Sequence, residues 1–258
     1  MYNSFLSVVS VIQSPAELKD LPTLLGNLYP ILSGHFSDYE IILVNNSTGA
    51  PVGPYVEPLP SDLKRNVYLL NLSAPTYRNH AVVAGLDRAN GDYTVIFELD
   101  FKERPELLLN LFDRTQEQFD IVYLRARERQ VKRRFRPFYR LFYYILRHYS
   151  NLRVDEKALD TRIISRRALN SILRLRENLR YMKAIYSIVG FRTSYLEVDS
   201  SPTAAEREPF SERFKTSLVA ITSFTTFLRS LLLWIFIFSF VFLIGVIFNA
   251  LKVKFTGV

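Results

Sequence analysis

Three short polar clusters, each after an apolar stretch, contain the side chains of this sequence that are best suited to chemistry. They are Gln13-Ser14, Asn45-Asn46-Ser47 and Glu98-Leu99-Asp100. An amide both donates and accepts hydrogen bonds, whereas an ionised carboxylate only accepts them. If these clusters share one edge of a sheet, they form a polar crevice that can bind a ligand.

The composition excludes several other kinds of site. The chain of 258 residues has no cysteine, which excludes disulfides, zinc–thiolate sites, iron–sulfur clusters and a cysteine nucleophile. Its three histidines, at positions 35, 80 and 148, are too few and too scattered for a histidine-based zinc site. Neither the P-loop pattern nor the glycine fingerprint of dinucleotide-binding proteins occurs, so kinase-type and dehydrogenase chemistry are excluded as well.

Alternating strands and helices are predicted to position the three clusters. Apolar, β-branched runs predict strands at Phe5–Ile12, Glu40–Val44, Asn66–Leu70, Tyr93–Glu98 and Asp120–Leu124. Helical spacing and turn signals predict helices at Pro15–Leu32, Tyr77–Asn90 and Pro105–Thr115. This order predicts an α/β fold with a mostly parallel sheet, whose ligands bind beyond the carboxyl ends of the strands.

The C-terminal part of the sequence contains a long apolar run. Residues 231–251, LLLWIFIFSFVFLIGVIFNAL, carry no charge, and a helix of this length spans about 30 Å, the thickness of a bilayer core. Arg229 precedes the run, and Lys252 and Lys254 follow it, as interface anchors do. A buried core helix is the alternative, but such helices rarely run this long without a polar face. We therefore expect one transmembrane helix.

The positive charge of the chain is concentrated in one segment. Residues 114–153 contain eleven basic and three acidic residues, which equals the net charge of +8 of the whole chain. Aromatic residues interleave with arginines over 133–149, a pattern typical of an interfacial helix on anionic lipid. Nucleic acid is the rival partner, and the nearby apolar helix favours the membrane. The basic N-terminal bulk has no signal-peptide pattern, which predicts a cytoplasmic catalytic domain.

Three segments together resemble a known family. They are residues 91–108 (GDYTVIFELDFKERPELL), 71–89 (NLSAPTYRNHAVVAGLDRA) and 157–167 (KALDTRIISRR). In this order, and followed by a membrane segment, they are similar to family-2 glycosyltransferases of the GT-A fold, more narrowly to the polyprenyl-phosphate branch that includes dolichyl-phosphate mannose synthase. The resemblance implies a Rossmann-like GT-A catalytic domain with C-terminal juxtamembrane and transmembrane helices.

The sequence departs from the family pattern at several positions. Asn45-Asn46 stand where the family usually has two acids, and Glu98 stands for the first acid of its Asp-x-Asp motif. Gln13 follows a first strand that usually leads into Pro-x-Tyr-Asn-Glu, and Thr161 replaces a phenylalanine. Members of this branch often carry two membrane helices where this chain shows one, so a C-terminal truncation is expected.

The resemblance also implies roles for individual residues. Asp100 would bind Mg²⁺ or Mn²⁺, Asp160 would be the catalytic carboxylate that orients the acceptor, and Arg162 would pair with the acceptor phosphate. The nucleotide sugar would contact Gln13, Asn45, Asn46, Arg78, Glu98 and Asp100. Three arginines at alternate positions after the fifth strand would clamp pyrophosphate or lipid phosphate: Arg125, Arg127 and Arg129.

These inferences combine into one expected organisation. Residues 1–198 would form the GT-A domain, with a nucleotide-sugar half at 1–115 and an acceptor half at 116–198. After it would come a juxtamembrane amphipathic segment (199–230), the transmembrane helix (231–251) and a tail (252–258). The expected activity is inverting transfer of a sugar to undecaprenyl or dolichyl phosphate. Two alternatives stay open: transfer to a hydroxyl acceptor in cell-surface polysaccharide synthesis, and a degenerate, non-catalytic membrane scaffold. Homo-oligomerisation is also open.

Overall fold

The fold is built on one seven-stranded mixed sheet. The computed structural model describes residues 1–46, 49–128, 135–150, 152, 154–175, 181–199 and 210–256. Within these residues the strands are β1 (Tyr2–Ile12), β2 (Phe36–Asn45), β3 (Val67–Asn71), β4 (Tyr93–Ile96), β5 (Ile121–Ala126), β6 (Ala158–Ser165) and β7 (Thr193–Val198). They are arranged in the order β3-β2-β1-β4-β6-β5-β7.

The helices connect these strands and continue beyond the last of them. They are α1 (Pro15–Leu18), α2 (Leu21–His35), α3 (Gly53–Val56), α4 (Ser61–Lys64), α5 (Arg78–Arg88), α6 (Glu106–Thr115), α7 (Arg136–Tyr149), α8 (Arg166–Arg174), α9 (Met182–Ile188), α10 (Phe210–Phe224) and α11 (Phe227–Thr256). A short 3₁₀ turn, Leu99–Phe101, follows β4.

The prediction of a mostly parallel sheet is confirmed. β1 runs parallel to β2 and β4, β2 to β3, and β5 to β7, whereas β6 is antiparallel to both of its neighbours. The five predicted strands all occur, within a few residues of their expected bounds. β6 and β7 were not predicted as strands, and β6 carries the motif around Asp160.

Each face of the sheet is covered by helices. On one face, α2 and α6 bury leucines such as Leu25 and Leu111 against Val8 and Ile41. On the other face, α5, α8 and α9 pack Leu86, Leu169 and Ile185 against the sheet. Because both faces are covered, the central strands are apolar on both sides, which explains their continuous hydrophobic runs.

Two glycines permit close approach of chain segments. A Cβ atom at Gly85 of α5 would lie 2.4 Å from Val9 Cγ1, so the helix can approach the sheet only because this side chain is absent. A Cβ atom at Gly91 would lie 2.6 Å from the backbone nitrogen of Ser7 and 2.7 Å from the carbonyl oxygen of Phe5. At Gly91 the obstacle is backbone, which cannot move aside without disturbing β1.

The single helix predicted over Pro15–Leu32 is wrong. The structure has two helices there, α1 and α2, separated by a turn at Lys19 and Asp20. The cause is Pro22, which lies in the first turn of α2. Proline has no N–H to donate to the carbonyl oxygen four residues earlier, which belongs to Leu18 at the end of α1, and its ring clashes with that carbonyl, so one continuous helix cannot pass through Pro22.

The C-terminal helices form an extension of the domain. α7, α9 and α10 share a small core that includes Phe142, Tyr181 and Ala220. The corner between α10 and α11 is fixed to the end of α7, because the backbone N–H of Thr226 donates to the carbonyl oxygen of Tyr149 at 2.9 Å. In α11, the segment Phe227–Lys252 contains an 18-residue stretch with a mean hydropathy of 3.0, none of which is buried, so this helix is long and apolar enough to cross a membrane.

Candidate active site

The cluster Glu98-Leu99-Asp100 lies where β4 ends, at the carboxyl edge of the sheet. The chain leaves β4 at Ile96 and turns through the 3₁₀ segment that contains Asp100. The backbone N–H of Glu98 donates to the hydroxyl of Thr161 on β6 at 3.2 Å, and Thr161 is completely buried. The hydroxyl of Thr161, at a position where the family has phenylalanine, therefore holds the loop that carries both carboxylates.

An arginine and two carboxylates converge from three different elements. Arg78, the first residue of α5, forms an ion pair with Glu98, and both side chains are 14% exposed. Its Nε atom also lies 3.8 Å from Oδ2 of Asp160 on β6, a side chain that is 51% exposed. The structure therefore brings together three predicted site residues that lie in separate sequence motifs.

The two carboxyl groups have pKa values shifted in opposite directions. Burial raises the pKa of Glu98 to about 6, with Arg78 opposing the rise and the charges of Asp160 and Asp100 adding to it. Desolvation also acts to raise the pKa of Asp160, but the positive charges of Lys183, Arg78 and Arg162 outweigh it, so this pKa lies below its usual value. Asp160 is therefore ionised at neutral pH, whereas Glu98 titrates only slightly below neutral pH.

The two asparagines that follow β2 hydrogen-bond to neighbouring chain segments. Asn46 is buried, and its side chain makes two bonds to the backbone of Thr76: Nδ2 donates to the carbonyl oxygen at 2.8 Å, and Oδ1 accepts from the N–H at 3.0 Å. Asn45 donates from Nδ2 to Oδ1 of Asn71 at 3.0 Å. The pair therefore fixes the segment that leads to Arg78, and Ser47 of the same cluster lies outside the described residues.

Gln13 lies at the carboxyl end of β1, as expected. Its backbone N–H donates to Oε2 of Glu17 at 2.8 Å, and Asn46 N–H donates to the carbonyl oxygen of Ile12 at 2.9 Å. Because β1 and β2 are neighbours in the sheet, the first two polar clusters lie side by side.

Arg162 lies on the same face of β6 as Asp160 but is almost completely covered. Its guanidinium lies 3.9 Å from the centre of the Tyr186 ring and donates to the carbonyl oxygens of Asp160 and Leu159 at 3.1 and 2.7 Å. Burial raises the pKa of Tyr186 to about 12. Arg162 is 3% exposed, and in this conformation it supports the strand next to Asp160.

The basic residues after β5 form ion pairs with nearby acids. Arg125 Nε lies 3.1 Å from Asp155, its Nη1 lies 3.2 Å from Glu197, and its guanidinium lies 4.7 Å from the Tyr195 ring centre. Arg127, 63% exposed, lies 3.2 Å from Asp199. Arg129 lies outside the described residues. The assignment of these arginines to phosphate binding stays a prediction.

An open cleft lies on the side of Asp160 that faces α10. It is lined by residues of α5, β6, α9 and α10, together with Tyr77 and Tyr181 just before α5 and α9: Tyr77, Arg78, Asn79, Asp160, Tyr181, Met182, Lys183, Lys215, Thr216 and Val219. Lys183 and Lys215 were not singled out in the sequence. Lys183 follows the unpredicted β6 in the chain and Lys215 lies in the expected juxtamembrane segment, where its charge alone gives no sign that it faces the site.

The donor set of the site suits a hard divalent cation that shares its ligands with a substrate. Among the described residues, no group of three His, Asp or Glu side chains is arranged to hold a metal ion. Magnesium is commonly held by one or two protein carboxylates, with water and substrate phosphates as the other ligands. Asp100, close enough to Glu98 to raise its pKa, provides such a carboxylate.

Comparison with known proteins identifies the family of this chain. The model of glycosyl transferase family 2 matches residues 17–173, which include Arg78, Glu98, Asp100 and Asp160. The chain belongs to glycosyl transferase family 2. The family resemblance in the sequence analysis is thereby confirmed.

Two curated relatives of this family-2 glycosyltransferase are similar over most of its length. An uncharacterised glycosyltransferase of Synechocystis sp. is 29% identical over 188 residues, which are 72% of this chain and 58% of that protein. A bactoprenol glucosyl transferase of Shigella phage SfV is 30% identical over 173 residues, which are 66% of this chain and 56% of that protein. The matched regions thus cover little more than half of the length of these relatives.

A solved structure supports the fold of this family-2 glycosyltransferase. A mannosyltransferase from Pyrobaculum calidifontis, solved in complex with GDP-Man and Mn²⁺, is similar with a TM-score of 0.54 at 16% sequence identity. The similarity covers 83% of this chain and 61% of the mannosyltransferase. It confirms the GT-A fold that the resemblance implied.

Proposed function

We propose that this protein is a membrane-anchored glycosyltransferase that transfers a sugar, with inversion, from a nucleotide sugar to a polyprenyl phosphate. The observation that carries the proposal is the convergence of Arg78, Glu98 and Asp160 on one cleft, in a family-2 glycosyltransferase, beside a helix that leads into apolar α11. The bactoprenol glucosyl transferase relative supports a bactoprenol-type lipid as the acceptor.

The donor would bind at the carboxyl edge of the sheet, over the polar clusters of β1, β2 and β4. Asn45 and Asn46 are buried and bonded to Asn71 and Thr76, so they would shape the nucleoside site by holding its walls, and Arg78 offers a planar cation for the pyrophosphate. Asp100 would hold Mg²⁺ or Mn²⁺, which when bound neutralises the pyrophosphate so that the nucleoside diphosphate can leave. The Mn²⁺ in the mannosyltransferase structure supports the use of a divalent cation.

The acceptor would approach the sugar from the side of Asp160. A phosphate oxygen attacks the anomeric carbon while the bond from that carbon to the nucleoside diphosphate breaks, which inverts the configuration in a single displacement. A phosphate monoester is already anionic at neutral pH, so it needs no strong base. Asp160, held ionised by three nearby cations, therefore serves mainly to orient the acceptor.

The C-terminal helices would hold the catalytic domain at the cytoplasmic face of the membrane. α11 is long and apolar enough to span a bilayer. α7 packs Phe142 and Tyr143 against the protein, not into lipid, and leaves Leu141 and Tyr144 exposed among arginines. This exposed face combines apolar and basic side chains, as membrane-surface helices do.

A transfer assay on the detergent-solubilised full chain tests the proposal. Undecaprenyl or dolichyl phosphate is incubated with a panel of UDP-, GDP- and dTDP-sugars and with Mg²⁺ or Mn²⁺, and the lipid product is identified by mass spectrometry. We expect one donor to give a sugar–phosphate–lipid in wild type, and no product with Asp160→Ala. Binding of a nucleotide sugar without transfer to any acceptor would contradict the proposal and favour the scaffold alternative.

A further inference from the structure

The cleft beside Asp160 has a composition that suits an amphiphilic anion. Among its described lining residues, three are cationic, Arg78, Lys183 and Lys215, and one, Asp160, is acidic. Tyr77, Tyr181, Met182 and Val219 give the same cleft an apolar part. A phosphate attached to a hydrocarbon chain satisfies both halves of this lining, because its head is attracted to the cations and its tail to the apolar side chains.

The two lysines reach the cleft from different helices. Lys183 belongs to α9, and its Nζ atom donates to the carbonyl oxygen of Ala158 on β6 at 2.5 Å. This is its only hydrogen bond within the described part of the chain, so two of its three N–H groups remain for a ligand. Lys215 is an exposed residue of α10.

The position of α10 connects the cleft to the membrane-spanning helix. α10 is held on the domain through Ala220, which is completely buried against α7 and α9. It ends at Phe224, three residues before α11 begins, and the corner is fixed to Tyr149 by Thr226. α10 therefore joins the membrane-spanning helix directly to the cleft that Lys215 lines.

We infer that Lys183 and Lys215 bind the phosphate of the lipid acceptor in this cleft, on the side of Asp160 that faces α10. This inference rests on the proposed function and adds the residues that recognise the acceptor. The arginines after β5 are less suited to this task in the present conformation, because Arg125 and Arg127 already pair with Asp155, Glu197 and Asp199. A phosphate would have to displace those carboxylates.

Steady-state kinetics of lysine variants separate acceptor binding from donor binding. We expect Lys183→Met and Lys215→Met each to raise the KM for undecaprenyl phosphate about tenfold or more, and the KM for the nucleotide sugar to change less than twofold. Lys215→Arg, which keeps the charge, should recover most of the affinity. Lys19→Met is the matched control, because Lys19 is an exposed lysine outside the site. An unchanged acceptor KM in both variants, or an equal rise in the donor KM, would overturn the inference.

Direct binding distinguishes a failure of this inference from a failure of the proposed function. The probe is farnesyl phosphate in detergent micelles, compared with farnesol and with inorganic phosphate. If wild type binds farnesyl phosphate, the two lysine variants do not, and no sugar is transferred, the phosphate-lipid site stands and the proposed transfer fails. If wild type binds farnesol as tightly as farnesyl phosphate, or if the variants bind farnesyl phosphate like wild type, the site itself is refuted.

Discussion

Replacing Glu98 by glutamine tests the electrostatics at the centre of the site. Burial raises the pKa of Glu98 to about 6, from an ordinary value of 4.5, although Arg78 opposes the rise. A carboxyl group with a higher pKa in the folded chain than in the unfolded chain binds more protons when folded. The free energy of unfolding therefore falls as the pH rises through this interval.

The size of the effect follows from the interval. The 1.5 units between 4.5 and 6 correspond to about 2 kcal/mol of destabilisation when Glu98 is fully ionised. Roughly 1 kcal/mol of this cost develops between pH 5 and pH 7.5. The Glu98→Gln variant carries no ionisable group at this position. Its free energy of unfolding, relative to that of wild type, should therefore increase by about 1 kcal/mol over the same range.

Urea unfolding of the full chain in detergent measures this difference. Far-ultraviolet circular dichroism is preferable to tryptophan fluorescence, because Trp234, the only tryptophan, lies in α11. Glu57→Gln is the control, since the Glu57 side chain is 82% exposed. If the difference between the Glu98→Gln variant and wild type is the same at pH 5 and pH 7.5, or falls with pH, the reasoning about burial is refuted.

Three further predictions address the metal, the packing and the topology. Asp100→Asn should reduce transfer at least a hundredfold and weaken Mn²⁺-dependent binding of the nucleotide sugar. The control Asp87→Asn, at an exposed position, should change neither property. Equal Mn²⁺ dependence in both variants would contradict the assignment of Asp100 as a metal ligand. Gly91→Ala should lower the free energy of unfolding by about 3 kcal/mol, because its Cβ atom meets backbone atoms of β1. The control Gly26→Ala, in open space within α2, should be neutral or slightly stabilising in the same urea assay. Similar costs for both variants would be evidence against the close approach of Gly91 to β1. The chain has no cysteine, so the variant Lys19→Cys carries a single site for a thiol-specific label. If the domain is cytoplasmic, an impermeant maleimide should label this variant in inside-out vesicles and not in intact cells. Labelling in intact cells would contradict a cytoplasmic domain.

The features that the sequence predicts well are those with a local pattern. The strands around the three polar clusters are marked by apolar runs, and parallel topology places their ends at one edge of the sheet. The apolar run at 231–251 lies within α11, as predicted. An apolar run of this length is typical of a membrane-spanning helix and of few other structures, so its sequence pattern alone is enough to predict a helix. Local chemistry also explains the error at Pro22, whose position interrupts a run of otherwise helical spacing.

The features that escape the sequence depend on contacts between distant segments. β6 pairs with β4 and β5 in antiparallel orientation, and nothing in its local pattern gives this partner or direction. Arg78 and Glu98 are 20 residues apart, and their ion pair exists only because α5 begins beside the end of β4. Lys183 and Lys215 come together only when α10 packs on α7 and α9.

A comparison of two acceptors that differ only in the phosphate tests whether this protein transfers its sugar to a lipid phosphate. Detergent-solubilised protein is given the active nucleotide sugar with either undecaprenyl phosphate or undecaprenol, and the lipid products are identified by mass spectrometry. We expect a sugar–phosphate–lipid from undecaprenyl phosphate and no product from undecaprenol. Glycosylated undecaprenol, formed at a comparable rate, would contradict a phosphate acceptor and support transfer to a hydroxyl group.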